Sequence, residues 1–322
     1  MPVLHSTKNL KIVEPATADR TGVGIFEYTD NYTVFHYGRM PDPISGKGEA
    51  TCRMAVFNFR MLQAAGVPTH FRRFLPPNRI EFDLARLPER LPEPGTGRLA
   101  GNTLIPVQVL VRNELPQGSS VHRRLASGTL TLDEVGLPAL PNIGERLQPP
   151  LIEFATMFEP VNRFVSRSEA VQLAGLSAGQ LRVMSDIAVK ANEVLAGHAE
   201  RVGFTLSDGK AEFLLTNDAH IVLADSPGTP DEARLLFNGV HCGKQVLRNW
   251  YVNNGLEVPT GRLIAEGVPR NLWPEPAPLP AAFLPVMSDL YRSLSQAWTG
   301  ERLWNAPSLD DATRAVTEVI GR

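Results

Sequence analysis

Three stretches of the chain combine residue types that could do chemistry. The first, RNELPQGSSVHRR at 112–124, delivers Arg112 from the apolar run LIPVQVLV. It then bends through Pro116 and Gly118 and offers Ser119 and Ser120 where a helix can begin. Hydroxyls and backbone N–H groups at a helix start suit a phosphate, and a guanidinium can grip one with two hydrogen bonds. The same residues also read as a solvated turn with a serine N-cap. The second stretch, 208–235, places Glu212 and Asp225 on the two arms of an expected hairpin. Carboxylates on opposite arms can share a face, and Mg²⁺ uses one or two of them while a nucleotide's phosphates supply other ligands. Lys210, two residues before Glu212, shares its face, and Asp231 and Arg234 follow in a turn. A hairpin with ordinary surface charges is the plain alternative. The third, HSTKNLK at 5–11, is small, polar and basic, as is GKG at 46–48. Both could cover a nucleotide, yet neither carries a GxxxxGK[ST] or GxGxxG pattern. The histidines have no HExxH spacing, and no GxSxG elbow supports a serine nucleophile.

These stretches need elements to hold them. Residues 22–37, rich in aromatic and β-branched side chains, read as strands, and 68–75 and 79–84 as further strands. A helix is expected from about 50 to 65, stopped by Gly66. The Pro- and Gly-rich stretch 87–103 reads as the link between a β-rich lobe, 1–103, and a larger lobe, 104–322. That second lobe opens with a strand at 104–112. Residues 177–202 give the clearest helix, with Ser177 and Gln180 forming a capping box. Strands at 210–215 and 220–225 flank a polar turn, and helices are expected at 241–253, 279–297 and 308–320. Strands first and helices later imply α+β rather than a doubly wound sheet.

Lys and Arg number 32 against 34 Asp and Glu, so the basic footprint of a nucleic-acid binder is absent and any basic patch must be local. Cys52 and Cys242 form no CxxC or zinc pattern, which favours a reduced, cytoplasmic protein. The first residues lack a basic region followed by an apolar run, and no apolar stretch approaches membrane-spanning length.

Taken in order, several stretches resemble one family. YTDNYTVFHYGRMPDPISGKGE at 28–49 resembles its SDRYSVFDWGEMPD…GKG segment, and VLVRNELPQGSSVHRRL at 109–125 its VxRNxLPxGSSVxRRL signature. HSTKNL resembles its glycine-led loop with a lysine. PPLIEFATMFEPVNRF at 149–164 resembles PP…STKxEPTDR, DGKAEF and DSPGTPDEARL its Lys-x-Glu strand and Asp…TPDxxR turn, and GKQVLRNWY its SKQxxRDYY helix. The family is that of SAICAR synthetase (phosphoribosylaminoimidazole-succinocarboxamide synthase). The resemblance implies a two-lobed α+β fold with the nucleotide site between the lobes. It implies an ATP- and Mg²⁺-dependent ligase joining the carboxylate of a phosphorylated aminoimidazole ribotide to an amine such as aspartate, and a homo-oligomer. By position, Lys8 and Lys47 would serve the nucleotide. Glu212 and Asp225 would hold Mg²⁺–ATP and, with Lys210, act in catalysis. Arg112, Ser119, Ser120, Arg234, Lys244 and Arg248 would bind the ribotide.

The chain departs from the family pattern within these signatures. His5 replaces glycine, Asn31 arginine, Thr33 serine and His36 aspartate; Met157 replaces lysine; Val161 and Asn162 replace a Thr-Asp pair; Gly243 and Asn249 replace serine and aspartate. Fixed charges are lost around the reacting end, while the phosphate and metal residues remain. The expectation is therefore a ligase of this type with an altered amine or carboxylate partner in specialised biosynthesis. The purine-pathway reaction with aspartate and a non-catalytic ribotide-binding protein are the two alternatives.

Overall fold

The structure is a computed structural model and describes residues 7–34, 37–88, 98–159, 162–255, 262–264 and 266–320. His5, His36, Val161 and most of the 87–103 link lie outside them. Two antiparallel sheets dominate. The smaller has the order β1-β2-β4-β3, built from β1 (Lys8–Glu14), β2 (Gly22–Tyr28), β3 (Phe71–Leu75) and β4 (Arg79–Leu84). The larger follows β12-β11-β9-β6-β7-β8, with β5 (Thr103–Leu104) and β10 (Ile221–Ala224) both pairing with the far end of β9. Its other strands are β6 (Val107–Glu114), β7 (Arg146–Thr156), β8 (Phe164–Val165), β9 (Phe204–Leu215), β11 (Ala233–Phe237) and β12 (Val240–Cys242). The arrangement is α+β.

α1 (Lys47–Ala64) binds the two sheets because it carries two apolar stripes. Cys52, Ala55, Val56 and Phe59 pack on Tyr28, Phe71, Ile80 and Phe82 of the small sheet, whereas Ala50, Met54 and Leu62 enter the main core. Positions i, i+3, i+4 and i+7 share one helix face, and the second stripe lies roughly opposite. α4 (Ala178–Arg201) lays Leu181, Met184, Ala188, Ala191 and Leu195 against the large sheet, and its capping box of Ser177 and Gln180 is formed as expected. α2 (Ser120–Ala126), α3 (Arg167–Ala174) and α5 (Lys244–Asn253) are shorter. α6 (Phe283–Thr299) and α7 (Leu309–Ile320) close the chain.

The strand expected over 22–37 stops at Tyr28. Beyond it, Tyr32, Val34 and Tyr37 are fully buried in the main core without a ladder, so their side chains reported burial rather than extended pairing. The segment at 5–11, taken as a loop, contributes the start of β1. The strands β7 and β11 and helix α3 had no expectation; Pro149 and Pro150 break the alternation of β7. The helix expected from 241 starts at Lys244 because Val240–Cys242 form β12.

Candidate active site

β9 sets the geometry. In its first half Phe204 and Leu206 face the core. A register shift against β11, where Arg234 pairs with Asp208 and Leu235 with Leu206, leaves Ser207 as the extra residue of a bulge. The bulge reverses the alternation. From there Ala211 and Phe213 face the core, while Asp208, Lys210 and Glu212 share the other face. β6 answers in register: Val107, Val109 and Val111 enter the core, and Gln108, Leu110 and Arg112 join Lys210 and Asp208 on the open face. That face floors a cavity of about 1300 Å³, roofed by Thr7 and by Lys8, Leu10 and Phe26 of the small sheet.

One end of the cavity is acidic and tightly paired. The Lys210 ammonium lies 2.5 Å from Glu212 Oε1, 2.9 Å from Glu232 Oε2 and 3.6 Å from Asp225 Oδ2. Glu212 and Asp225 are neighbours because Ala224, just before Asp225, pairs with Glu212 across β9 and β10. Lys8 Nζ donates to Asp225 and, at 3.1 Å, to Ser226 Oγ, beneath the rings of Phe26 and Tyr28. Burial opposes both ammoniums, but Asp225, Glu212 and Glu232 override it and raise Lys8 and Lys210 above the usual lysine value. Burial likewise opposes the Asp225 carboxylate, yet Lys8 and Lys210 hold it well below the usual range. Glu212 goes the other way. Burial raises it, Lys210 counters, and Asp225 and Glu232 push it further up. Asp225 also takes a left-handed backbone, φ 64°, a strained state for a non-glycine residue that its surroundings must enforce. His70 Nε2 meets its carbonyl oxygen at 3.2 Å.

The other end is basic and under-compensated. Lys244 opens α5 and Arg248 lies one turn further on the same face, so the like charges repel, and the helix dipole also disfavours a cation at Lys244. Burial, then Arg248, brings Lys244 down to about 8; burial, then Arg234, lowers Arg248. Arg248 Nε is buried without a hydrogen-bond partner. Arg234 bonds Asp208 and Gln245, and Gln245 in turn donates to Asn249 Oδ1 at 2.8 Å. An anion arriving here would relieve repulsion that the fold leaves in place.

The structure thus brings Lys8, Lys210, Glu212, Asp225, Arg112, Ser120, Arg234, Lys244 and Arg248 to one cavity. Two expected residues are placed elsewhere. Lys47 is buried in an ion pair with Asp231, 2.6 Å, instead of lying on the cavity wall. Ser119 is also buried and caps α2 by accepting from Val121 N. Arg112 is present but committed: Nε donates to Glu153 at 2.6 Å, one terminal nitrogen to Asp208 at 2.8 Å, and the other to Ser120 at 3.2 Å. These bonds take three of its five N–H groups and fix the guanidinium in the cavity floor, with one N–H left on each terminal nitrogen. Sequence reasoning missed Asp208, Glu153 and Glu232. Asp208 was readable, since it lies two residues before Lys210 on the same strand face; Glu153 gave no signal because β7 itself was not seen.

Among the described residues, no cluster of three His, Cys, Asp or Glu side chains forms a metal cage. The donor set fits Mg²⁺ in a different way. Glu212, Asp225 and Glu232 outweigh Lys8 and Lys210 in charge, and the raised Glu212 carboxyl marks a site short of positive charge. Two carboxylates plus phosphate oxygens are what Mg²⁺ typically takes. Met157, Phe158 and Asn162 also line the cavity. With its amide nitrogen turned toward them, Asn162 donates to the carbonyls of Thr156 at 3.0 Å and Met157 at 3.2 Å, which an aspartate could not do.

A lysine–carboxylate centre and an anion-receptive basic end, facing each other between two antiparallel sheets, define a phosphate-handling α+β enzyme. The sequence model of SAICAR synthetase matches residues 16–260. A protein of Archaeoglobus fulgidus, provisionally named a phosphoribosylaminoimidazole-succinocarboxamide synthase, is 32% identical over 98% of this chain and 100% of its own. The Thermoplasma acidophilum synthase of the same name is 26% identical over 86% and 93%. Among solved structures, a SAICAR synthetase in complex with ADP superposes with a TM-score of 0.63 at 22% identity, covering 92% of this chain and 97% of that one. The Saccharomyces cerevisiae SAICAR-synthase complexed with SAICAR gives 0.64 at 20%, covering 92% and 96%. The chain belongs to the SAICAR synthetase family and is an ATP-dependent carboxylate–amine ligase. No helix among the described residues is long and apolar enough to cross a membrane.

Proposed function

We propose that the enzyme joins the carboxylate of carboxyaminoimidazole ribotide to the amine of aspartate, with ATP converted to ADP and phosphate. The observation that carries this reading is the pairing of the Lys210–Glu212–Asp225 centre with the under-compensated Lys244, Arg248 and Arg234 in one cavity. A carboxylate resists amines until one oxygen becomes a leaving group. Its oxygen attacks the γ-phosphorus, forming an O–P bond as the bond to ADP breaks. The amine nitrogen then attacks the carbonyl carbon, and phosphate departs with that oxygen while the nitrogen loses a proton. No protein nucleophile is required; positioning and charge stabilisation carry the barrier reduction.

In this reading Lys8 and Lys210 face the transferring phosphoryl group, and Lys244, Arg248 and Arg234 hold the ribotide phosphate. Glu212 and Asp225 would hold Mg²⁺, which when bound neutralises polyphosphate charge. Ser120 and Arg112 shape the floor between. The full-length similarity to a chain named for this same reaction favours the purine-pathway substrates over a specialised pair. A different amine is a second reading, favoured by Met157 and Phe158 on the cavity wall, which offer an anionic side chain no charge. Purified enzyme with ATP, Mg²⁺, the ribotide and a panel of amines separates them. ADP and amide should form fastest with aspartate. Turnover confined to an apolar amine would replace the first reading with the second, and no turnover with any amine would remove both.

A further inference from the structure

The loop between β10 and β11, residues 225–232, carries Asp225, Asp231 and Glu232, and both of its ends are held by one helix far along the chain. At the far end, Tyr291 Oη of α6 donates to Asp231 Oδ1 at 3.1 Å. Lys47 Nζ donates to the other oxygen of the same carboxylate at 2.6 Å and sits 5.4 Å above the Tyr291 ring. Near the other end, Trp298 Nε1 donates to Asn58 Oδ1 at 2.7 Å, and Asn58 Nδ2 passes the bond on to the Pro227 carbonyl at 3.0 Å. Tyr291 and Trp298 are seven residues apart, two turns, so they lie on one helix face about 10 Å from each other along the axis.

The loop between these holds has little slack. Gly228 has φ 73°, and a Cβ there would come within 3.0 Å of Asn58 Nδ2 and closer still to Leu195. Thr229 folds back to donate to the Ser226 carbonyl at 2.9 Å. The residues that would serve packing alone are already present on α6: Phe283, Met287, Leu290 and Leu294 fill the core. Tyr291 and Trp298, themselves buried, add directed polar bonds: that of Tyr291 runs to the loop directly, and that of Trp298 reaches it through Asn58 of α1. α6 lies beyond residue 260, where the match to the family model ends.

We infer that α6 is a positioning helix for the 225–232 loop, with Tyr291 and Trp298 as positioning residues that hold the Asp225 and Glu232 carboxylates ready for Mg²⁺–ATP. It rests on the reading that this centre serves Mg²⁺–ATP. The test is titration calorimetry of Mg²⁺ with a non-hydrolysable ATP analogue on the wild type, Tyr291→Phe, Trp298→Phe and Glu212→Gln. Tyr291→Phe should bind about five- to tenfold more weakly with the number of sites per chain unchanged, the size of one ordinary hydrogen bond, since Tyr291 acts on the metal-facing carboxylates only through the loop. Trp298→Phe should move in the same direction by less. If Glu212→Gln weakens binding but neither α6 variant does, the helix has no positioning role and the inference alone fails. A fall in the number of sites at constant affinity would mean that α6 only supports folding, which also overturns it. If Glu212→Gln leaves affinity unchanged, the Mg²⁺–ATP reading of the loop fails and the inference with it. Should Tyr291→Phe not fold, Trp298→Phe decides on the same criteria.

Discussion

The two ends of the cavity hold charge in opposite ways. Around Lys210 every charged group has an opposite partner within 3.6 Å, and the ammoniums are driven above their ordinary value. Around Lys244 and Arg248 the cations outnumber their partners, and both are driven below it. The first region is pre-organised: its charges are fixed before a substrate arrives. The second is left incomplete, and substrate would complete it. A group of the first kind should matter for rate and for folding together. One of the second kind should matter for binding while costing the free protein stability.

The largest expected effect tests the organised end. Lys210→Met leaves Glu212, Glu232 and Asp225 facing one another and removes a cation from the transferring phosphoryl group. The turnover number should fall about 10²–10³-fold, measured as ADP release, and the melting temperature should fall as well because buried carboxylates lose their counter-charge. A loss below tenfold in turnover would break the contrast at its stronger side.

Arginine against arginine tests it next. Arg112 is shared by Glu153 and Asp208, so Arg112→Ala leaves each buried carboxylate with a single arginine, Arg124 or Arg234, and should cost about 1.5–3 kcal/mol of stability, the worth of a hydrogen bond to a charged group. Arg248 has a buried Nε with no partner. Arg248→Ala should therefore leave stability unchanged or raised, and weaken a phosphorylated substrate about 10–100-fold, the worth of a charge-assisted bond. The dephosphorylated substrate should be affected far less. Paired chemical denaturation and binding titrations read both; similar stability losses in the two variants would erase the distinction between the ends.

A pH series sharpens the basic end. Lys244 falls from its ordinary 10.5 to about 8, so the folded state disfavours its protonated form. Below about 8 this group penalises folding, and between about 8 and 10.5 its contribution makes the free protein more stable as pH rises, because the unfolded chain then binds more protons. Anion binding has the reverse sign. Affinity for the phosphorylated substrate should fall as pH passes about 8, approaching tenfold per unit, whereas Lys244→Arg stays charged and should flatten that limb. A wild-type affinity constant from pH 7 to 10 would take Lys244 out of the anion site.

Much of this organisation was legible in the sequence, and the limits have physical reasons. Lys210, Glu212 and Asp225 could be placed together because alternation along a strand and pairing across a hairpin are local rules. The rest of the cavity floor came less readily: Asp208 follows from Lys210 by the same alternation but was passed over, and Glu153 comes from a strand whose prolines disguise it. Arg112 was found without its carboxylate partners: sequence marks an arginine at a strand end without saying which carboxylates reach it. Tyr32, Val34 and Tyr37 misled in the same way, since aromatic and β-branched residues mark burial as readily as a ladder. The last helices offered nothing to a motif reading, because hydrogen bonds from Tyr291 to Asp231 and from Trp298 to Asn58, partners far away along the chain, leave no local pattern.

The smallest expected effect falls on a region that serves both ends equally. α4 backs the large sheet under the whole cavity, and its start is closed by reciprocal bonds between Ser177 and Gln180, at 3.1 Å from the Gln180 N–H to the serine oxygen and 2.9 Å from the Ser177 N–H to the glutamine oxygen. Ser177→Ala removes one of the two and should cost about 1 kcal/mol, read as a lower denaturation midpoint with an unchanged slope. The remainder of α4 stays clamped by Leu181, Met184 and Ala188 in the core, so the register of β9 is not disturbed. Turnover, nucleotide affinity and ribotide affinity should then be those of the wild type at temperatures well below melting. A change in any of the three would mean that loss of general stability alone reaches the cavity, and the separate effects expected at Lys210 and Arg248 could no longer be credited to their charges.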